Sequence, residues 1–149
     1  MEPEIYFLKY AFPCSQVLKD IRKTITDKDY QILKKAAFNN EVLPRKYLEK
    51  VFEIAIERMK KINEDIWNIN TIKTYFHEKH DDLISKDLPP TIRRLCKIRR
   101  GKVINIKKNV LIVNLGDEKR NVLPLYKNPR INDEVIIHYG YAVEKISNK

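Results

Sequence analysis

Glycine is confined to one end of the chain, and this restricts the rest to one kind of structure. All three glycines, Gly101, Gly116 and Gly140, lie beyond residue 100 of the 149. Glycine is the residue that most readily adopts the positive φ that many tight turns require. The long stretch before Gly101 therefore holds few such turns, and we expect it to form helices rather than hairpins.

The spacing of apolar and capping residues agrees with this expectation. Thr26 is a suitable N-cap for a helix with Asp27 and Asp29 in its first turn, and Asn39 and Asn40 are a suitable end. Pro44 opens a second segment with apolar residues at helical spacing. These residues are Leu48, Val51, Phe52, Ala55, Ile56 and Met59. A further helix is predicted at about residues 63–85.

The pattern changes at "KDLPPT", where Pro89 and Pro90 cannot continue a helix. After them come five short Val/Ile-rich segments with turn residues between them. The segments are "GKVINIKK", "NVLIVNL", "RNVLPL", "EVIIHYG" and "YAVEKI". The predicted fold class is therefore α+β. An all-helical domain over residues 1–88 precedes a small five-stranded antiparallel OB-like β-barrel over residues 89–149.

Basic charge is concentrated in the predicted barrel. Of the net charge of +10, residues 96–149 contribute +7, from 12 Lys and Arg against 5 Asp and Glu. The first 95 residues contribute +3, from 18 against 15. This asymmetry favours an acidic partner at the barrel, either a nucleic acid or an acidic protein surface. The alternative is that the lysines serve only solubility.

Other features exclude several classes of protein. No apolar run approaches the roughly 20 residues that span a bilayer, so no membrane association is expected. The start, "MEPEIYFLKY", lacks the basic region of a signal peptide, and Cys14 and Cys96 are too far apart to suggest a disulfide framework. We therefore expect a cytoplasmic protein with reduced thiols. No phosphate-binding loop or nucleophile elbow is present, which favours a binding or carrier protein over an enzyme.

Two segments of the barrel, "LCKIRRGKVINI" and "DEVIIHYGYAVEKI", resemble the HypC/HupF family of hydrogenase maturation chaperones over about residues 95–147. Members of that family begin Met-Cys-x-x-x-Pro-Gly and later carry Gly-Asp-x-Val-x-x-His-x-Gly-aromatic-Ala. The family cysteine matches Cys96, its first glycine Gly101 and its histidine His138. Two positions depart from the pattern, because Cys96 is internal and Arg100 replaces the proline.

The resemblance implies a role in assembling the hydrogenase metal centre. The partner would be a HypD-like maturation protein or the hydrogenase large-subunit precursor, and iron would be held transiently rather than as a stable cofactor. Cys96 and His138 would be the metal ligands. The residues expected to contact the partner flank these two positions. They are Arg99, Arg100, Gly101, Tyr139, Gly140 and Tyr141.

The residues themselves agree in part with this interpretation. Arg93, Arg94, Lys97 and Arg99 surround Cys96 in the sequence, and cations favour the thiolate form that binds metals. A thiolate and an imidazole together suit iron or another borderline metal. The alternative is that Cys96 is a small buried apolar residue and that His138 is a hydrogen-bonded core residue.

Three further features of the sequence bear on possible sites. His77, His80 and Asp81 share one helix face, but a solvated helix end explains them better than a metal site. For Cys14, burial in the helical core is favoured over a reactive thiol. A nucleic-acid-binding barrel is the alternative function, since its basic charge would contact phosphates and its tyrosines would stack on bases. The tyrosines concerned are Tyr126, Tyr139 and Tyr141.

Overall fold

The computed structural model describes residues 1–146 of the chain. The chain divides into two compact units, Met1–Leu83 and Ile84–Lys149. The first unit is helical, and its residues, all of which are described, contain no strand. Over its described residues, 84–146, the second contains one helix and five strands. The α+β class predicted from the distribution of glycine is therefore confirmed.

In the first unit, short α-helices alternate with 3₁₀ and π-helical turns. The α-helices are α1 (Pro3–Ala11), α2 (Ser15–Val17), α3 (Asp27–Asn39), α4 (Arg45–Val51), α5 (Glu53–Lys60) and α6 (Ile69–Thr74). Phe12–Cys14 and Asp81–Leu83 form 3₁₀ turns, and Leu18–Arg22 and Tyr75–Lys79 form π-helical turns.

The ends of α3 are those the sequence predicts. The Thr26 hydroxyl accepts a hydrogen bond from the Asp29 amide at 3.1 Å, and the Asp29 carboxylate accepts one from the Thr26 amide at 3.2 Å. This reciprocal pair is a capping box. Asn40 follows the helix in the left-handed region, with φ of 55°.

The helix predicted at residues 63–85 is wrong over its first part. The segment between α5 and α6 is irregular, and asparagine side chains hold its backbone. Asn63 accepts a hydrogen bond from the Asp65 amide at 2.9 Å, and Asn68 accepts one from the Asn70 amide at 2.8 Å. Because asparagine competes for backbone donors in this way, it interrupts the apolar periodicity that suggested one continuous helix.

Aromatic side chains form the core of the first unit. The ring of Phe7, which is fully buried, lies 5.6 Å from that of Phe52, 5.4 Å from that of Trp67 and 6.0 Å from that of Phe76. These contacts join α1 to the segments on either side of α6. Burial of large rings is a major source of stability in so small a unit.

The second unit begins with a helix that we did not predict, α7 (Pro90–Cys96). Pro90 occupies its first turn, where the missing amide hydrogen is not needed, so the proline pair opens a helix rather than forming only a connector. Five strands follow in the order of the predicted segments. They are β1 (Arg99–Lys107), β2 (Val110–Asn114), β3 (Lys119–Pro124), β4 (Glu134–His138) and β5 (Tyr141–Lys145).

The strands close into a barrel in the order β1-β2-β3-β5-β4. All neighbours are antiparallel except β3 and β5, which pair in parallel at Leu123 with Tyr141. The prediction of a purely antiparallel barrel is therefore wrong in this respect. The reason is one of parity, since an odd number of strands cannot close into a ring with every neighbour antiparallel. The barrel is mixed.

Seven buried residues fill the barrel: Val103, Leu111, Val113, Val122, Val135, Ile137 and Ala142. They come from all five strands, which gives the second unit its own core. Among residues 1–146, no helix is both long and apolar enough to cross a membrane.

Candidate functional site

His138 is the last residue of β4 and lies on the outer face of the barrel wall. Val135 and Ile137 belong to the barrel core, and alternation along a strand places Ile136 and His138 on the opposite face. The strand pairing is irregular here, but the extra residue, Val143, is on β5 and leaves the alternation of β4 intact. His138 is nevertheless 0% exposed. It is a buried imidazole outside the core cluster.

Cys96 is the last residue of α7, and the backbone at this end of the helix lies near the end of β4. The amide of Tyr139, which follows His138, donates a hydrogen bond to the carbonyl of Leu95 at 3.0 Å. Arg99, at the start of β1, pairs with Ile137 of β4. These two contacts bring the backbone segments that carry Cys96 and His138 together. Cys96 is itself buried, with 3% of its surface exposed.

Several of the cations near Cys96 are engaged by carboxylates. Arg99 contacts Asp117 at 2.7 Å and Glu118 at 3.7 Å, and Arg94 contacts Glu118 at 2.5 Å. The hydrogen bond from Arg99 lowers the pKa of Asp117, and that from Arg120 lowers the pKa of Glu118. These arginines therefore form ion pairs with the β2–β3 turn, and their charge is not available solely to stabilise a thiolate at Cys96.

Arg100 and Gly101, both expected to contact a partner, have different surroundings. Arg100 is exposed and lies 3.5 Å from Glu134 on the neighbouring strand β4. Gly101 is enclosed, because a Cβ placed on it would lie 2.6 Å from a methyl of Val113 and 2.8 Å from the carbonyl oxygen of Asn114. The close approach of β1 and β2 therefore explains this glycine without a partner.

The turn between β4 and β5 is the open part of the site. Tyr139 has φ of 57°, which is uncommon for a residue with a bulky side chain and is often associated with function. A Cβ placed on Gly140 would meet no atom within 4 Å, so the backbone there is open to approach. Tyr141 is buried, with 5% of its surface exposed. Of the three positions, Tyr139 and Gly140 therefore offer the accessible surface.

Sequence reasoning missed a buried carboxylate at the start of β4. Asp133 is 5% exposed and accepts hydrogen bonds from the Tyr126 hydroxyl at 2.9 Å and the Arg130 amide at 2.8 Å. Lys145 lies 3.1 Å from its other oxygen. Before β4, "NDE" is typical of an ordinary turn, so no signal in the sequence pointed to this role.

The environment of Asp133 shifts two pKa values. Burial by itself would raise the pKa of Asp133, but hydrogen bonds from Arg130, Lys145 and Tyr126 outweigh it and hold the pKa below its ordinary value. Burial and the neighbouring carboxylate both raise the pKa of Tyr126. Asp133 is therefore ionised and Tyr126 neutral near pH 7, which fixes the Tyr126 ring, expected to stack on bases, against the barrel.

In the first unit, the predicted solvated helix end is wrong for His80, which is 6% exposed, although His77 is exposed. The Tyr6 hydroxyl and His77 Nε2 are 3.3 Å apart. Cys14 is half-buried, and its sulfur lies within 4.8 Å of a ring nitrogen of His80. The sequence could not show this proximity because the two residues are far apart in the chain.

Comparison with protein-family models finds no match for this chain, and comparison with curated proteins finds no significant one.

Proposed function

We propose that this protein is an accessory factor for the assembly of a hydrogenase metal centre, similar in role to HypC/HupF chaperones. The observation that carries the proposal is the hydrogen bond between the Tyr139 amide and the Leu95 carbonyl. It joins the segment that ends at Cys96 to the turn that follows His138, as a shared site for the two motifs requires. The partner is a HypD-like maturation protein or the hydrogenase large-subunit precursor.

The turn at Tyr139 and Gly140 is the proposed docking point. Gly140 lets a partner's backbone approach closely, and the positive φ of Tyr139 holds that turn in a fixed shape. Cys96 and His138 are buried beside it. Docking would have to open this region before iron, the cargo, reached the thiolate and the imidazole. A site that opens only on docking suits transient holding rather than stable binding.

Capture of the partner tests this proposal. The full chain, carrying an affinity tag, is mixed with a HypD-type protein or with the large-subunit precursor. Gly140→Arg should abolish capture, because the long side chain fills the open turn. Asn109→Arg, in the exposed β1–β2 turn, is the matched control and should leave capture unchanged. If both variants capture the partner as the parent does, or if the parent captures neither protein, the proposal is wrong.

The alternative function, single-stranded nucleic-acid binding, has one observation in its favour. Lys102, Lys107 and Lys108 are exposed on the β1–β2 hairpin, and none of them forms an ion pair with another of the described residues. Such lysines can contact phosphates. Two of the three tyrosines are poorly placed to stack on bases, because Tyr141 is buried and the Tyr126 hydroxyl is hydrogen-bonded to Asp133.

Salt dependence tests this alternative. An oligonucleotide bound through these lysines would lose affinity steeply as salt rises, because counterions are released on binding. A double substitution, Lys107→Glu with Lys108→Glu, would reduce both the affinity and its salt dependence. If the protein binds no single strand at low ionic strength, this function is excluded.

A further inference from the structure

The first unit contains a thiol and an imidazole that lie together although no sequence motif joins them. Cys14 ends the 3₁₀ turn Phe12–Cys14, and His80 directly follows the π-helical turn Tyr75–Lys79. The Cys14 sulfur and a ring nitrogen of His80 are within 4.8 Å of each other. Two ligands of one zinc ion, at about 2.3 Å for sulfur and about 2.0 Å for nitrogen, would lie roughly 3.5 Å apart. A small side-chain movement would therefore bring both to one ion.

A carboxylate fixes the second nitrogen of the same imidazole. His80 Nδ1 lies 3.1 Å from Asp81 Oδ1. Metal-ligating histidines almost always donate their other ring hydrogen to a carboxylate or a carbonyl, which sets the tautomer and makes the ligating nitrogen more basic. With Nδ1 directed at Asp81, Nε2 is the nitrogen suited to bind a metal. His80 is 6% exposed, so its ring orientation is also fixed by packing.

The local backbone and the neighbouring rings add to this arrangement. The His80 amide donates to the Tyr75 carbonyl at 2.7 Å, and π-helical turns of this kind occur frequently at functional sites. The rings of Tyr75 and Phe76 lie 5.9 and 5.8 Å from the ring of His80. Such apolar walls limit access of water and strengthen electrostatic contacts between a cation and a thiolate.

We propose that Cys14 and His80 bind a borderline divalent metal ion of the Zn²⁺ or Co²⁺ type, with Asp81 as the positioning residue. The His80–Asp81 pair orients the imidazole, and the Cys14 sulfur lies within 4.8 Å of one of its ring nitrogens. Thiolate and imidazole are ligands that zinc prefers. This site lies in the helical unit and does not depend on the proposed function.

Titration of the full chain with Co²⁺ tests the assignment, because a cobalt–thiolate bond gives a charge-transfer band in the near ultraviolet. We expect the wild-type protein, freed of metal by a chelator, to develop this band and to bind Zn²⁺ in competition. Cys14→Ser should abolish the band, and His80→Gln should weaken Co²⁺ binding at least tenfold. Asp81→Asn, at an exposed position, should weaken it roughly 10- to 100-fold.

His77→Gln, at an exposed histidine of the neighbouring π-helical turn, is the matched control and should retain the band. Far-ultraviolet circular dichroism establishes that each variant is folded. If substitution at Cys14 or His80 disrupts folding, the Co²⁺ affinity of Asp81→Asn decides: an affinity equal to that of the wild type would contradict the assignment. The assignment is overturned if wild-type protein shows no cobalt–thiolate band, if Cys14→Ser keeps it, or if His77→Gln removes it. Loss of partner capture by Gly140→Arg with an intact band would separate this site from the proposed function.

Discussion

Two glycines of the barrel have opposite surroundings, and this gives a test at the scale of single residues. A Cβ at Gly101 would lie 2.6 Å from Val113 and 2.7 Å from Leu115, whereas at Gly140 it would meet no atom within 4 Å. We expect Gly101→Ala to lower the free energy of unfolding by about 1–3 kcal/mol through overpacking. Gly140→Ala should change it little, or raise it slightly by restricting the unfolded chain.

Chemical denaturation of both glycine variants measures this difference. Equal losses of stability at the two positions would contradict the packing explanation for Gly101. The comparison also bears on function, because Gly101 and Gly140 were both expected to contact a partner. If the structural account is right, only Gly140 is available for that role.

The buried Asp133 should contribute to stability more than an exposed carboxylate of the same barrel. Asp133→Asn replaces the anion that accepts hydrogen bonds from Tyr126 and Arg130. We expect a loss of about 2–3 kcal/mol in the free energy of unfolding, since hydrogen bonds to charged groups are the stronger ones. Asp117→Asn, at an exposed ion pair with Arg99, is the control and should have little effect.

The same carboxylate predicts a pH dependence of stability. Because the pKa of Asp133 is lower in the folded protein, its contribution is present above its unfolded pKa of about 3.9 and is lost as the pH falls through the folded value. Unfolding free energies measured between neutral pH and pH 3 should therefore fall less steeply for Asp133→Asn than for the parent. Parallel curves would show that Asp133 does not titrate in this way.

At the scale of elements, local chemistry predicts the ends of α3 well. Thr26 and Asp29 form the capping box, and the Tyr47 hydroxyl donates to the Asp29 carboxylate at 2.8 Å. The amide of Thr26 and the hydroxyl of Tyr47 both lower the pKa of Asp29, while burial and this carboxylate raise the pKa of Tyr47 to about 12. The cap therefore also joins α3 to α4.

Loss of this cap should destabilise the helical unit. We expect Thr26→Ala to lower the free energy of unfolding by about 1 kcal/mol. Thr91→Ala is a suitable control, because Thr91 is exposed in the first turn of α7 and does not occupy its N-cap position. Thermal unfolding followed by circular dichroism measures both. A Thr26→Ala variant as stable as Thr91→Ala would show that the capping box adds nothing.

Elements that depend on distant contacts were less predictable. The apolar spacing from Leu48 to Met59 suggested one helix, but Phe52, with φ of −105° and ψ of 42°, divides it into α4 and α5. The strands followed from their period of two, yet the parallel pairing of β3 with β5 depends on closure of the whole ring. Strand alternation also places His138 opposite the core-facing Ile137. The proximity of Cys14 to His80 did not follow from any such pattern, because it depends on tertiary packing.

At the scale of the whole molecule, the uneven distribution of glycine matches the division into a helical unit and a barrel unit. Turns that need positive φ are not restricted to glycine in either unit, however. Two non-glycine residues adopt it in the first unit, Lys23 and Asn40. Four adopt it among the described residues of the second: Lys108, Asn128, Asn132 and Tyr139. The absence of glycine from the first unit therefore predicted both the class of structure and the small number of left-handed residues in it.

The barrel unit has its own core, so we expect a fragment of residues 84–149 to fold alone, with the small stability usual for chains of this size. Amide NMR spectra should be well dispersed.

A fragment of residues 99–149 lacks α7 and with it the Leu95 carbonyl that accepts from the Tyr139 amide. The barrel should persist in this shorter fragment, but the Tyr139 amide should exchange with solvent faster. Poorly dispersed spectra for both fragments would show that the barrel core is insufficient for folding without the first unit. If the Tyr139 amide exchanged at the same rate in both fragments, α7 would not hold the β4–β5 turn.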